Sequence, residues 1–419
     1  MDPELRKNLK YNYIVNVGDG AFFGIALGFA SFSTVIPVFV STLTDSAILI
    51  GLVVALHTLG WQLPQLFVAR LVSRQERFKP LVMVLAVHER LPFLGLAVTA
   101  FVLPFVGPLA ALWLVFLMLA WQGIGGGLTA NPWQNMLNKI LPQDYLATFF
   151  GVQGAAANLL ASVGAVAAGV ILDRVQYPNN YALVFIIACV FLIFSYLSVG
   201  QTREPVHAIV APIENPPHLM TQTIATLKRD VNFRWLIVGR MLSQFGVMGF
   251  AFYSVYMVKN LGASELDTGI LTSVLMISSF VMNIFLGWLA DRWSKRRVLE
   301  IGALSMVLSG GIAWLAPSAG WFYLVQILAS VANTCIWTIM MATALQYGTD
   351  EERPLYVGMA TTLSTPATIL APLAAGWLAN AFGYPISFAA SAFFGICAFI
   401  VFHFFVRDPR KIQSAAPQT

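Results

Sequence analysis

The stretch GWLADRWSKRR, residues 287–297, sets Asp291, Arg292, Lys295, Arg296 and Arg297 within about two helical turns at the end of an apolar run. What that run crosses decides the fold. The chain has 419 residues, 58% hydrophobic and only 10% charged. A soluble globular domain carries about 25% charged residues, so lipid is the solvent this composition suits. Apolar segments of about 20 residues, enough to cross a hydrocarbon core, recur along the chain. They fall near 14–40, 47–71, 79–104, 108–137, 146–172, 181–200, 233–259, 267–291, 296–316, 320–347, 355–381 and 385–406. Alternating strand patterns are absent, so these twelve spans are predicted to be helices, which satisfy their own backbone hydrogen bonds in lipid.

The net charge of +5 reads as topology rather than as a nucleic-acid surface. With a cytoplasmic N-terminus, twenty Lys and Arg fall on the inner side and two, Arg174 and Lys259, on the outer. That asymmetry predicts both termini in the cytoplasm of a cell inner or plasma membrane and an even number of spans. The charged start runs directly into a full-length helix, unlike a cleavable signal peptide. Cys189, Cys335 and Cys397 lie inside spans without metal-type spacing and are expected to be small core residues.

The longest polar interruption, 201–232, divides the spans six and six, giving bundles 1–200 and 233–419 joined by a cytoplasmic loop. At an offset of 207, Gly151 falls on Gly358, Gly169 on Gly376, Tyr177 on Tyr384 and Pro178 on Pro385. The fifth and eleventh spans therefore look duplicated. An offset of 218 similarly sets Gly51 on Gly269.

The opening stretch resembles the loop signature of the major facilitator superfamily, G-x-x-x-D-R-x-G-R-R. Gly287, Asp291, Arg292, Arg296 and Arg297 match it, and Ser294 stands where glycine is usual. The family's stronger copy follows the second span; here that position holds Ala69, Ser73, Arg74 and Lys79, so only basic residues survive. The resemblance implies an all-α membrane protein of twelve helices in two pseudo-symmetric six-helix bundles. It also implies that these residues, Arg74 included, latch a cytoplasmic gate. A small glycine would let helices approach closely, and the carboxylate would meet a helix N-terminus.

Charges inside spans cost a few kcal/mol each and tend to face a cavity or a partner. Asp19 in the first span and Arg240 in the seventh occupy equivalent places, roughly 10 Å deep, and are expected to pair across a cavity or to meet an anionic solute. Gln244 shares the Arg240 face. His88, Glu89 and Arg90 lie in the third span, with His57 of the second at similar depth. Asp19, His57, Glu89 and Arg90 are therefore candidates for proton coupling, with mutual neutralisation of Glu89 and Arg90 as the plainer reading.

Gln122-Gly123 in the fourth span resembles an R-x-x-Q-G element of drug:proton antiporters, but the arginine position is Leu119. The fifth span lacks the antiporters' glycine-proline pair, and its glycines are expected to serve close packing. In the family, spans one, four, seven and ten line the cavity. That makes Trp121, Gln122, Asn131, Tyr253, Tyr256, Asn333 and Trp337 candidate solute contacts, although Trp and Tyr serve equally as interfacial anchors.

No phosphate-binding glycine loop, zinc-type histidine pair or nucleophile elbow is present in the sequence, so an enzyme is not expected. The resemblance implies a monomeric secondary transporter of a small organic solute, driven by a proton or other ion gradient and needing no cofactor. Proton-coupled export of amphipathic compounds leads. Uptake of a sugar or organic anion, or uniport, is the alternative within the class, and a nontransporting sensor, scaffold or lipid-handling protein is the alternative outside it.

Overall fold

The computed structural model describes residues 3–72, 75–205, 219–348 and 352–408. The described chain is almost entirely helical and divides into two compact units. One comprises 1–212 with 258–277, the other 213–257 with 278–419.

In the first unit the chain runs through α1 (Pro3–Phe29), α2 (Val35–Leu43), α3 (Ala47–Val72), α4 (Lys79–Ile140), α5 (Gln143–Arg174) and α6 (Asn179–Gly200). Helix α4 is 62 residues long and holds the third and fourth spans. They meet at Gly107, whose φ of 79° breaks the helical path between Pro104 and Pro108. The first span departs from expectation. It begins eleven residues early, because the polar N-terminal residues are also helical, and it ends at Phe29. Ser31, Ser33 and Thr34 then interrupt the helix, with the Ser31 hydroxyl accepting from the Ser33 amide.

Helix α1 packs against α5 and α6. A Cβ at Gly24 would lie 2.3 Å from the Ala157 carbonyl oxygen, and one at Gly28 2.2 Å from that of Ala161. Such stripes of small residues let membrane helices touch backbone to backbone. The fourth span's glycines do the same, since a Cβ at Gly127 would lie 2.5 Å from the Gly60 oxygen of α3.

The second unit contains α7 (Leu219–Arg229), α8 (Val231–Gly246), a 3₁₀ turn at Met248–Phe252 and the start of α9 (Tyr253–Leu261), whose residues from Val258 on belong to the first. Helix α10 (Glu265–Arg292) is shared between the units; α11 (Lys295–Leu315), α12 (Trp321–Thr334), α13 (Met340–Ala344), α14 (Arg353–Phe382) and α15 (Tyr384–Ile400) belong to the second. The predicted seventh span is thus broken, at a place where Gly249 lies against Phe388 and Tyr253. The 201–232 segment is not all loop, for it carries α7.

Among the described residues ten helices are long and apolar enough to cross a membrane. Helix α4 is long enough to cross twice. With α1, whose buried Asn12, Asn16 and Asp19 lower its hydropathy, twelve crossings result.

Each unit closes with the same clamp. Asn12 on α1 donates to the Arg203 carbonyl at 2.9 Å and accepts from its amide at 2.8 Å. On α8, Asn232 holds Arg407 in the same way, at 2.9 and 2.7 Å. The following acid then meets the start of a helix. Glu204 accepts from the Phe78 and Lys79 amides at the start of α4 and from Lys139 Nζ at 2.8 Å. Asp408 accepts from the Ser294 hydroxyl, and Ser294 is the N-cap of α11.

Candidate functional site

The first unit encloses a cavity of about 580 Å³. Its walls come from α1, α3, both halves of α4, α5, α6 and Met276 of α10. Most of the lining is apolar, with Phe23, Trp61, Trp133 and Phe150 supplying aromatic faces. Its polar lining is the group of Asp19, Glu89 and Arg90, with Gln134, Gln153 and Asn158 besides.

The charged group is a triad. The Arg90 guanidinium donates through Nη2 to Asp19 Oδ1 at 3.2 Å and through Nη1 to Glu89 Oε2 at 3.1 Å. Ser195 of α6 donates to the same Asp19 oxygen at 2.6 Å and accepts from Arg90 Nη2 at 2.9 Å. The Trp133 ring lines the same cavity. Phe23 completes the setting, its ring centroid 5.4 Å from Arg90 Cζ. Three spans far apart in sequence therefore converge on one carboxylate.

This geometry revises several expectations. Asp19 finds its cation in Arg90 within its own unit, where pairing with Arg240 was expected. Glu89 and Arg90 do pair, as the plainer reading expects, but they also line the cavity. His57 is not part of the lining; its Nδ1 and Gln122 Oε1 lie 2.9 Å apart, and its ring stacks on Phe32. Gln122 is one turn beyond the cavity edge at Gly126, and so is spent on His57. Trp121 faces sideways and donates to His88 Nδ1 at 3.2 Å. Asn131 likewise accepts from Asn135 one turn along its own helix, at 2.8 Å. The stripe of α4 that does line the cavity is Gly126, Thr129, Ala130, Trp133 and Gln134.

In the second unit Arg240 and Gln244 are buried, 1% and 4% exposed. Trp337 is more open and lies with its ring 6.0 Å from Arg240 Cζ. It sits in a π-helical turn, Cys335–Ile339, that continues α12. Tyr253 is a core residue packed among Phe250, Phe322 and Phe388. Tyr256 joins the same aromatic cluster through Phe322, Tyr384 and Phe388. Asn333 is half-buried on α12.

The signature stretch is only partly as expected. A Cβ at Gly287 would meet nothing within 4 Å, so no close helix approach explains that glycine here. Arg292 lies over Trp288, 4.9 Å from its centroid. Arg296 bonds Glu300 at 3.1 Å, the Phe402 carbonyl at 3.0 Å and the His403 carbonyl, while Arg297 reaches the other Glu300 oxygen at 3.1 Å. Arg296 thus fastens α11 to the end of the last span, while Arg297 braces Glu300 within α11. Asp291 has a partner as well. Arg74 lies outside the described residues. On the other face, Lys259 bonds Asp45 at 2.9 Å, and this holds the Asp45 carboxyl below its ordinary value of 3.8.

Twelve apolar crossings with a polar-headed cavity define a polytopic helical membrane protein. The model of the Major Facilitator Superfamily matches residues 87–255 and 236–419, and the chain belongs to that family. It is 27% identical to dipeptide and tripeptide permease A of Enterobacter sp. (strain 638) over 214 residues, covering 48% of this chain and 41% of that one. It is also 27% identical to the multidrug resistance protein MdtG of Dickeya zeae (strain Ech586) over 187 residues, 43% of this chain and 45% of the relative. The chain spans less than half the length of these curated relatives. A mutant of the nucleoside transporter NupG superposes with a TM-score of 0.76 at 11% identity, over 94% of this chain and all of that one. At that identity the likeness is one of fold.

Proposed function

We propose that the chain is a secondary active transporter that moves a small amphipathic solute across a cell membrane by alternating access, coupled to protons. Both termini are then cytoplasmic, and the protein works as a monomer without a cofactor. Its bundles are 1–200 and 233–419. The observation that carries this reading is the triad at the cavity wall. Two carboxylates share one guanidinium, so with both ionised the group carries one surplus negative charge in a low-dielectric site. A single proton neutralises it.

Glu89 is the group we assign to that proton. Asp19 is held by Arg90 and Ser195, whereas among the described residues only Arg90 donates to Glu89. A proton arriving at Glu89 therefore breaks one contact and leaves the Asp19–Arg90 pair in place. The sparsely charged aromatic wall suits a solute with a flat apolar body, and export of such compounds is the direction we favour. Gly287, Asp291, Arg292, Arg296, Arg297 and Arg74 keep the gate-latch role the signature implies.

The test is flux into sealed liposomes carrying an internal pH dye, with the purified protein and pools of amphipathic cations, organic anions and sugars. A solute-dependent pH change, lost in Glu89→Gln, is expected. If the protein remains folded and no pool produces solute movement, the transport reading fails, and the nontransporting alternatives replace it.

A further inference from the structure

The Arg240 guanidinium is a charge without a counter-ion. Its Nε and Nη1 are buried and donate to no partner, and among the described residues no carboxylate pairs with it. One turn further along α8 the Gln244 amide nitrogen is buried and unpartnered too. An uncompensated buried cation is among the costliest groups a membrane helix can carry, and each orphaned donor adds to that cost. Among the described residues the Trp337 ring offers a weak attraction through its quadrupole at 6.0 Å.

Three features converge there. The guanidinium presents a planar fork of donors, the geometry that a carboxylate matches with two parallel hydrogen bonds. Gln244 shares its helix face, four residues on, with a further donor. Beside them, α12 passes into the π-helical turn that carries Trp337, 39% exposed. Turns of this kind are rare and concentrate at functional sites, because they aim a side chain that a regular helix would turn away.

We infer that Arg240 and Gln244 form an anion subsite that takes the carboxylate of the transported solute, with the Trp337 ring covering its apolar part. The solute class is thus a small organic monoanion. This rests on the transport reading above but is tested by binding alone, so that failure of either can be told from failure of the other. The missing counter-ion is the ligand itself. An arginine kept for structure would have been given a partner, and its removal would loosen the fold. An arginine kept for a ligand burdens the empty protein.

The experiment uses the full chain in lipid nanodiscs, with benzoate as probe, benzamide as its neutral isostere and chloride as a simple anion. Calorimetric titration gives affinities, and thermal unfolding of the ligand-free protein gives Tm. Benzoate is expected to bind at least tenfold more tightly than benzamide or chloride. Arg240→Met should weaken benzoate at least tenfold while leaving the ligand-free Tm equal to or above that of the unaltered protein. Gln244→Leu should weaken benzoate by a smaller factor, and it serves as the test should Arg240→Met not fold. Equal affinities for benzoate and benzamide, no benzoate binding, or a lowered Tm with benzoate affinity retained in Arg240→Met would each overturn the assignment.

Discussion

Removing the cation from the triad should damage the protein far more than removing one of its carboxylates. Arg90→Leu takes away contacts at 3.2 Å to Asp19 and 3.1 Å to Glu89 and the bond to Ser195. It leaves two carboxylates, 7% and 14% exposed, with no positive charge between them. Breaking a buried pair in this way costs about 3–5 kcal/mol. Glu89→Gln runs the other way. It forfeits one charge-assisted hydrogen bond, worth about 1.5–3 kcal/mol, but it also removes the surplus charge, so the net change stays near zero. At about 2–4 °C per kcal/mol for a domain of this size, Arg90→Leu should lower Tm by about 6–20 °C and Glu89→Gln by a few degrees at most. Scanning fluorimetry in nanodiscs measures both. Adding Asp19→Asn to Arg90→Leu should recover part of the loss, because it deletes one of the stranded charges. Equal falls in Tm for the two single variants would refute the charge count, and with it the choice of Glu89 as the proton-exchanging group.

Two further outcomes follow from packing and capping. Glu204→Ala orphans the Phe78 and Lys79 amides and leaves the Lys139 ammonium, 9% exposed, with the Glu76 carbonyl but without its carboxylate. It should cost about 3–5 kcal/mol in thermal or denaturant unfolding, and a cost under about 1 kcal/mol would show that the clamp is not energetically important. Gly24→Ala and Gly287→Ala should differ in sign. The first forces a methyl to within 2.3 Å of the Ala157 oxygen and should destabilise by about 1–3 kcal/mol. The second meets nothing within 4 Å and should be neutral or stabilising by up to about 1 kcal/mol from helix propensity, with Tm as the readout for both.

The spans were legible because lipid imposes one rule on every residue that faces it, and twelve apolar runs obey it wherever their polar partners lie. Partnership was not legible. The contact between Asp19 and Arg90 joins residues 71 positions apart, and nothing in either local sequence names the other. The same limit explains Trp121 and Gln122. They sit on the right helix, but a helix in a bundle has several buried faces, and only its rotation decides that Trp133 and Gln134 line the cavity while Gln122 bonds His57. The break after Phe29 escaped for a different reason: Ser31, Ser33 and Thr34 are mild enough to pass within a hydropathy window, yet their side chains compete with the helix for backbone groups. The terminal clamps did leave a trace. Arg203-Glu204-Pro205 and Arg407-Asp408-Pro409 recur at an offset of 204; Glu204 caps a helix, and Asp408 bonds the serine that caps another.

The two polar sites also complement each other in charge. The triad carries one negative charge more than its guanidinium balances, and Arg240 carries one positive charge that nothing among the described residues balances. Each is a poor group to leave empty in lipid, and each is neutralised by a ligand of opposite sign: a proton at the first, a monoanion at the second. A chain that held either charge for stability alone would be better served by an apolar residue of the same volume. Loading either site removes its own penalty, and proton-driven export then requires that the proton and the monoanion be loaded in opposite halves of the cycle. On this account the cost of the empty sites favours loading before the protein changes state, which is what coupling requires of a carrier.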